Sequence, residues 1–133
     1  VLELRVVGLD ELLGRSDLVS LHLPGGTATR HLIDERALSI MKTDAILVNT
    51  GRGTLVDSGA LITALHEGRL GAAGLDVFEG EPELDPGFLE APRVVLAPHI
   101  GSATYRARDE MSRMVATNVI AVLDGREPLN PVS

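Results

Sequence analysis

Short, almost wholly apolar runs alternate with helix-patterned segments along the whole chain, and this alternation limits the fold more than any other feature. Ser16 to Pro24, Ala45 to Asn49, Leu70 to Val77 and Val94 to Leu96 read as strands, and Leu2 to Val7 alternates enough to be a further short one. The segments between them have recognisable helix ends. Asp10 to Gly14 reads as one capped turn stopped by glycine, and Asp34 can cap a helix through about Met41. Asp57 or Ser58 caps the next helix, in which Leu61, Ala64 and Leu65 form a stripe and Gly68 is the stop. From about Thr104 to Leu123 a longer pattern is expected to bury Met111, Met114, Val115, Asn118, Val119 and Val122 at helical spacing, with Gly125 ending it. Gly25 to Thr29 and Glu79 to Pro92 read as loops, the second with three prolines. Apolar strands joined by helices predict a parallel sheet covered on both faces.

Composition narrows the partners. With 133 residues, 44% of them hydrophobic, the chain can bury a core, but two Phe, one Tyr and no Trp mean that Leu, Val, Ile and Ala build it. A net charge of -7 argues against nucleic acid and anionic membranes, both of which demand a basic surface. The absence of cysteine excludes disulfides and Cys-based zinc sites and fits a reducing compartment, so the cytoplasm is the expected location. No apolar run is long enough to span a bilayer. No basic leader and no initiator Met open the sequence, so any targeting signal would lie outside these residues.

Three strands run into turns that carry chemically able groups. Val94-Val95-Leu96 leads into Pro98-His99-Ile100-Gly101, which places His99 at a strand's carboxyl end, the edge where open α/β sheets hold ligands. Its imidazole could exchange a proton with a ligand near neutral pH, although a turn residue would look the same. Arg52, between Gly51 and Gly53, offers a planar fork suited to a carboxylate, and the glycines would let the backbone approach a ligand; a solvated turn residue is the alternative. Asp76 ends an apolar strand, where an unpaired carboxylate is costly, so it serves either a site or a local backbone hydrogen bond. Glu81 lies in a loop with Glu79 and Glu83 and is either an orienting carboxylate or simply solvated. Adjacent carboxyl ends of one parallel sheet lie side by side, so these groups are expected to meet at one rim. The other histidines are weaker candidates: His66 on an exposed helix face, His31 at the surface, His22 along an edge strand. No set of residues has metal-ligand spacing.

Val48-Asn49-Thr50-Gly51-Arg52-Gly53-Thr54-Leu55-Val56-Asp57, then Gly74-Leu75-Asp76-Val77-Phe78-Glu79-Gly80-Glu81-Pro82, then Pro98-His99-Ile100-Gly101-Ser102-Ala103-Thr104 resemble, in order, the motifs of the D-isomer-specific 2-hydroxyacid dehydrogenases. The likeness covers essentially the whole chain. His99 to Thr104 and the ending Leu123 to Val132 are most similar to glyoxylate and hydroxypyruvate reductases. Two departures stand out: Gly25-Gly26-Thr27 replaces the usual Leu-Thr-Pro, and Gly51 stands where Ser or Ala is common. Neither removes a catalytic side chain.

The resemblance implies hydride transfer between NAD or NADP and a small 2-oxo acid. In that reading Arg52 binds the substrate carboxylate, His99 exchanges the proton, and Glu81 holds the imidazole. Asp76 meets the nicotinamide carboxamide, and Pro24, Thr50, Gly51, Gly101 and Ser102 line the cofactor, as Arg52 and His99 also do. A homodimer is implied for the longer protein. The G-x-G-x-x-G turn that opens a dinucleotide fold is absent. The expectation is therefore the C-terminal half of a Rossmann-like α/β domain, residues 1–123, with 124–133 returning toward a substrate domain and with the first βαβ portion and that substrate domain lying outside this sequence. Such a fragment is expected to be inactive alone. The alternatives are a nucleotide-sensing, corepressor-like relative that retains the fold, or a truncated product without a function of its own.

Overall fold

A computed structural model describes residues 4–131. The chain forms two compact units, one ending at His99 and the other beginning at Ile100. In the first, a four-stranded parallel sheet has strands β1 (Leu18–Leu21), β2 (Ile46–Asn49), β3 (Ala72–Leu75) and β4 (Val94–Leu96) in the spatial order β1-β2-β3-β4. Leu18 is opposite Ile46, and Ile46 opposite Ala72. Helices α1 (Leu9–Arg15), α2 (Glu35–Ile40), α3 (Ser58–His66) and the short α4 (Gly87–Glu90) occupy the connections, with a 3-10 turn at Gly53–Leu55. Asp34 and Asp57 cap α2 and α3, their carboxylates accepting the N–H groups of Ala37 and Ala60. Gly68 closes α3 with a φ of 68°, the left-handed stop expected of it.

Strands laid down in sequential order, with crossovers of one hand, place every connecting helix on the same face. That face is the core: Val19, Leu21, Leu47, Ala73 and Leu75 are buried with Leu13, Leu38, Leu61, Leu65 and Phe88. Coverage of both faces, and a fully buried first strand, are therefore not what the first unit shows. Leu18, Ile46 and Val95, which point the other way, are exposed. Three further expectations change. Residues 4–8 form no strand, and residues 2 and 3 of the expected one lie outside the described residues. Helix α1 runs through Gly14 to Arg15 instead of stopping there. The Glu79 to Pro92 loop contains α4, started by Pro86 and anchored by buried Phe88.

The second unit is the helix α5 (Tyr105–Leu123) with its flanks. Thr104 caps it by accepting the Ala107 N–H, and Gly125 follows with a φ of 72°. Its apolar stripe is not buried as the spacing suggests: Met111, Met114, Val115, Val119 and Val122 are exposed, Asn118 is half-buried, and Ala121 is the residue that is buried. Within this unit only a short tail is available to cover the helix, and it is held by polar contacts, Asn118 accepting the Leu129 N–H and donating to Asn130. No helix of the described residues is long and apolar enough to cross a membrane.

Candidate active site

The backbone ladder continues past the carboxyl ends of the strands and fixes where the functional groups start. Asp76 N–H donates to Asn49 C=O at 2.9 Å, Ala97 N–H to Leu75 C=O at 2.8 Å, and His99 N–H to Asp76 C=O at 2.9 Å. His99 stands in the left-handed region with a φ of 54°, a conformation a non-glycine residue holds only where its surroundings impose it. Its ring nitrogen Nδ1 lies 2.8 Å from Glu81 Oε2, and the other carboxylate oxygen, Oε1, accepts the Phe78 N–H at 2.9 Å. Glu81 thus holds the histidine and folds its own loop at once.

The Glu81 carboxyl is shifted below its ordinary value. Partial burial works to raise it, but the hydrogen bonds from His99 and Phe78 outweigh that effect. Glu81 is therefore ionised near neutral pH and can only accept, so Nδ1 is the donor in this hydrogen bond.

Arg52 reaches the same place through the turn after β2. The fully buried Asn49 side chain makes that turn: its Oδ1 accepts the Gly51 N–H at 3.1 Å and its Nδ2 donates to Arg52 C=O at 2.9 Å. One Arg52 guanidinium nitrogen, Nη1, donates to Gly51 C=O at 2.8 Å, while the residue itself is exposed. On the side where a Cβ would project, each flanking glycine meets the protein's own backbone. A Cβ on Gly53 would lie 2.0 Å from Phe78 O, and one on Gly51 would lie 3.0 Å from Leu23 O. That close approach of Gly53 brings the Arg52 turn against the Glu81 loop.

Arg52, Glu81 and His99 consequently border one cavity of about 400 Å³, together with Gly25, Thr54 and Phe78. The expected convergence of these three groups is observed. The other candidates lie outside that lining. Asp76 is half-buried at the end of β3, Gly51 is buried, and exposed Thr50 lies with its hydroxyl 3.4 Å from His22 Nδ1. Exposed Pro24 accepts the Thr29 hydroxyl through its C=O. Gly101 and Ser102 are exposed in a turn of the second unit, closed by Ala103 N–H to Ile100 C=O. His31 is not a simple surface residue: it is half-buried and hydrogen-bonded to Glu79. Asn49 was detectable as the single polar residue closing an apolar run before Thr-Gly-Arg-Gly, but its role as the turn's scaffold needs the fold to be seen.

The fold is thus a parallel α/β domain whose carboxyl edge brings an arginine and a carboxylate-held histidine to one cavity. The sequence profile of the D-isomer specific 2-hydroxyacid dehydrogenase NAD-binding domain matches residues 1–101, and the chain belongs to that family. It is 50% identical over 127 residues to a glyoxylate reductase of Thermococcus litoralis, covering 96% of this chain and 38% of that protein. A glyoxylate reductase of Aeropyrum pernix is 52% identical over 127 residues, covering 94% of this chain and again 38% of the relative. Among solved structures, the NADPH-dependent glyoxylate/hydroxypyruvate reductase of Sinorhizobium meliloti, in complex with NADP and malonate, superposes with a TM-score of 0.90 at 38% identity, covering 94% of this chain and 39% of that one. The chain thus spans about two-fifths of the length of the relatives it matches.

Proposed function

We propose that the complete protein is an NAD(P)-dependent reductase that converts a small 2-oxo acid, glyoxylate or hydroxypyruvate first among them, into the D-2-hydroxy acid, acting in the cytoplasm as a homodimer. The observation that carries this reading is the 2.8 Å Glu81–His99 contact on the same cavity as the Arg52 guanidinium. It combines a carboxylate-binding group with a proton donor, the two things reduction of a 2-oxo acid requires of the protein. Likeness to glyoxylate reductases over almost the whole chain supports the substrate class.

Arg52 grips the substrate carboxylate through paired N–H donors and so fixes the direction of the neighbouring carbonyl. The protonated His99 donates from Nε2 to the carbonyl oxygen as negative charge develops there, and in the reverse direction the neutral ring takes that proton back. Glu81 keeps Nδ1 protonated throughout, so the imidazole can change charge without changing orientation. Asp76, a half-buried carboxylate at the end of β3, suits an amide donor such as a nicotinamide carboxamide. Pro24, Thr50, Gly51, Gly101 and Ser102 are the remaining cofactor-lining candidates. The donor set fits a nicotinamide dinucleotide, and that group, when bound, supplies the hydride. Residues 1–123 are read as part of the cofactor-binding domain and 124–133 as the connection to a substrate domain. Alone, the 133 residues should show no turnover, since the sequence has no glycine-rich pyrophosphate turn.

The test is oxidation of NADH and NADPH by the complete gene product with glyoxylate and with hydroxypyruvate. Turnover that collapses in His99→Gln while cofactor binding survives is the expected result. Tight nucleotide binding without turnover on any 2-oxo acid would replace this reading with the nucleotide-sensing one.

A further inference from the structure

Beside the His99–Glu81 pair, a second set of charged side chains joins the same two loops. Glu79 precedes Glu81 by two residues, and its carboxylate holds His31 Nε2 at 3.0 Å from each oxygen and also takes the Arg30 guanidinium. His31 stands in the left-handed region with a φ of 50°, and its other ring nitrogen lies 3.6 Å from Asp57. Two carboxylates from different segments therefore face the two nitrogens of one half-buried ring. The backbone of the same residue is tied elsewhere: His31 N–H donates to Thr54 C=O at 2.8 Å, and Ile33 N–H to Leu55 C=O at 3.0 Å. Ile33 and Val56 form a parallel bridge. His31 thus holds by its backbone the residues that follow Arg52 and Gly53, and by its ring the residues that precede Glu81.

We infer that Glu79 and His31 are positioning residues whose hydrogen bond clamps the Glu81 loop onto the Arg52 turn, setting the spacing between the carboxylate-binding arginine and the proton-donating histidine. This rests on the reductase reading above and assigns the pair that sets its geometry. The clamp acts where spacing is most sensitive. Gly53 and Phe78 are already in direct backbone contact, so the two loops can separate but cannot approach further, and separation draws Arg52 away from His99. Neither residue borders the 400 Å³ cavity, so both act through the groups they hold.

The experiment compares Glu79→Ala, Glu79→Gln, His31→Gln and the double variant Glu79→Ala/His31→Gln in the complete gene product. It reads kcat and KM for glyoxylate, cofactor Kd, and the imidazole ¹⁵N resonances of His99. Displacing a substrate-orienting group by a fraction of its contact distance lowers kcat/KM by about 10- to 100-fold, and Glu79→Ala should fall in that range with cofactor Kd within about twofold of wild type. Glu79→Gln, which keeps an acceptor for His31, should recover part of the loss. The double variant should lose no more than the worse single one, because both remove the same clamp. Additive losses, or single variants within about twofold of wild type in kcat/KM, would overturn the inference. A wild-type protein that reduces no 2-oxo acid would sink the reductase reading instead. In that case the His99 resonances decide the clamp: they should move in Glu79→Ala and stay fixed in Glu35→Ala on the exposed start of α2, and no movement in Glu79→Ala overturns it.

Discussion

The short strand β4 is bracketed by two residues with the same unusual backbone and opposite uses. Arg93, just before it, has a φ of 56°, and His99, just after it, has a φ of 54°. At the amino end, Arg93 turns its guanidinium back into the fold, with Nε donating to Gly71 C=O at 2.7 Å and Nη2 to Leu65 C=O at 3.0 Å. It supplies the positive charge that the carboxyl end of α3 favours and gives a further donor to Leu65 C=O, which also accepts the Gly68 N–H. At the carboxyl end, His99 is held through Nδ1 by Glu81 and lines a cavity. A left-handed residue fixes the direction of its side chain in both places. One side chain meets backbone carbonyls, and the other meets a carboxylate at the edge of a cavity.

The contrast predicts that the two positions answer to different assays. Replacing His99 with Gln should lower kcat of the complete protein by about 10²- to 10⁴-fold, the range associated with losing a general acid, while the unfolding midpoint moves little. Loss of stability with intact turnover at this position would remove the distinction between the two ends of β4.

Gly53→Ala should fail in both assays, because the Arg52 turn and the Glu81 loop share that contact. A Cβ 2.0 Å from Phe78 O cannot be accommodated by a rotamer change, since the obstacle is backbone. The expected destabilisation is about 3 kcal/mol by urea titration, with a raised KM for the 2-oxo acid as Arg52 is displaced. An alanine variant that folds and turns over like wild type would mean that the two loops are not held together as described.

Much of this division was legible in the residues themselves. Four of the apolar runs marked the four strands, Asp34 announced its cap and Asp57 was one of two candidates for the next, and Arg52, Glu81 and His99 stood at strand ends where a parallel sheet brings them together. The remaining contacts are between residues far apart in sequence and leave no local mark. Nothing near Arg93 says that it will bond to carbonyls at residues 65 and 71, and Glu79 looks like any other acid in an acidic loop until His31, 48 positions earlier, is brought to it. The α5 stripe misled for a related reason. Its periodicity reports an apolar face, but whether that face is covered depends on what packs against it, and periodicity carries no such information.

Arg93 separates side-chain contribution from backbone strain. Arg93→Ala loses the hydrogen bonds to Gly71 and Leu65 and keeps the strained φ, whereas Arg93→Gly loses the same bonds and relieves the strain. The alanine variant should lose about 2 kcal/mol, a modest figure because the arginine is exposed. The glycine variant should be the more stable of the two by about 1 kcal/mol. Both should retain kcat/KM within about twofold, since their bonds end at the opposite edge of the sheet.

The smallest effect belongs to Glu81 and is best seen through pH. Its carboxyl titrates below the ordinary value in the folded chain, so its unfolded form binds protons more readily than its folded form. Folded stability then rises with pH across that interval: the contribution is complete above the unfolded value and disappears as pH falls through the lower folded one. Glu81→Gln lacks the titration and should be less stable than wild type at neutral pH, with the difference shrinking to nothing in acid. Urea midpoints of both proteins across the acid range provide the check. A gap that stayed constant with pH would mean that Glu81 acts through its shape at the Phe78 N–H alone, and the electrostatic part of its hold on His99 would have to be abandoned.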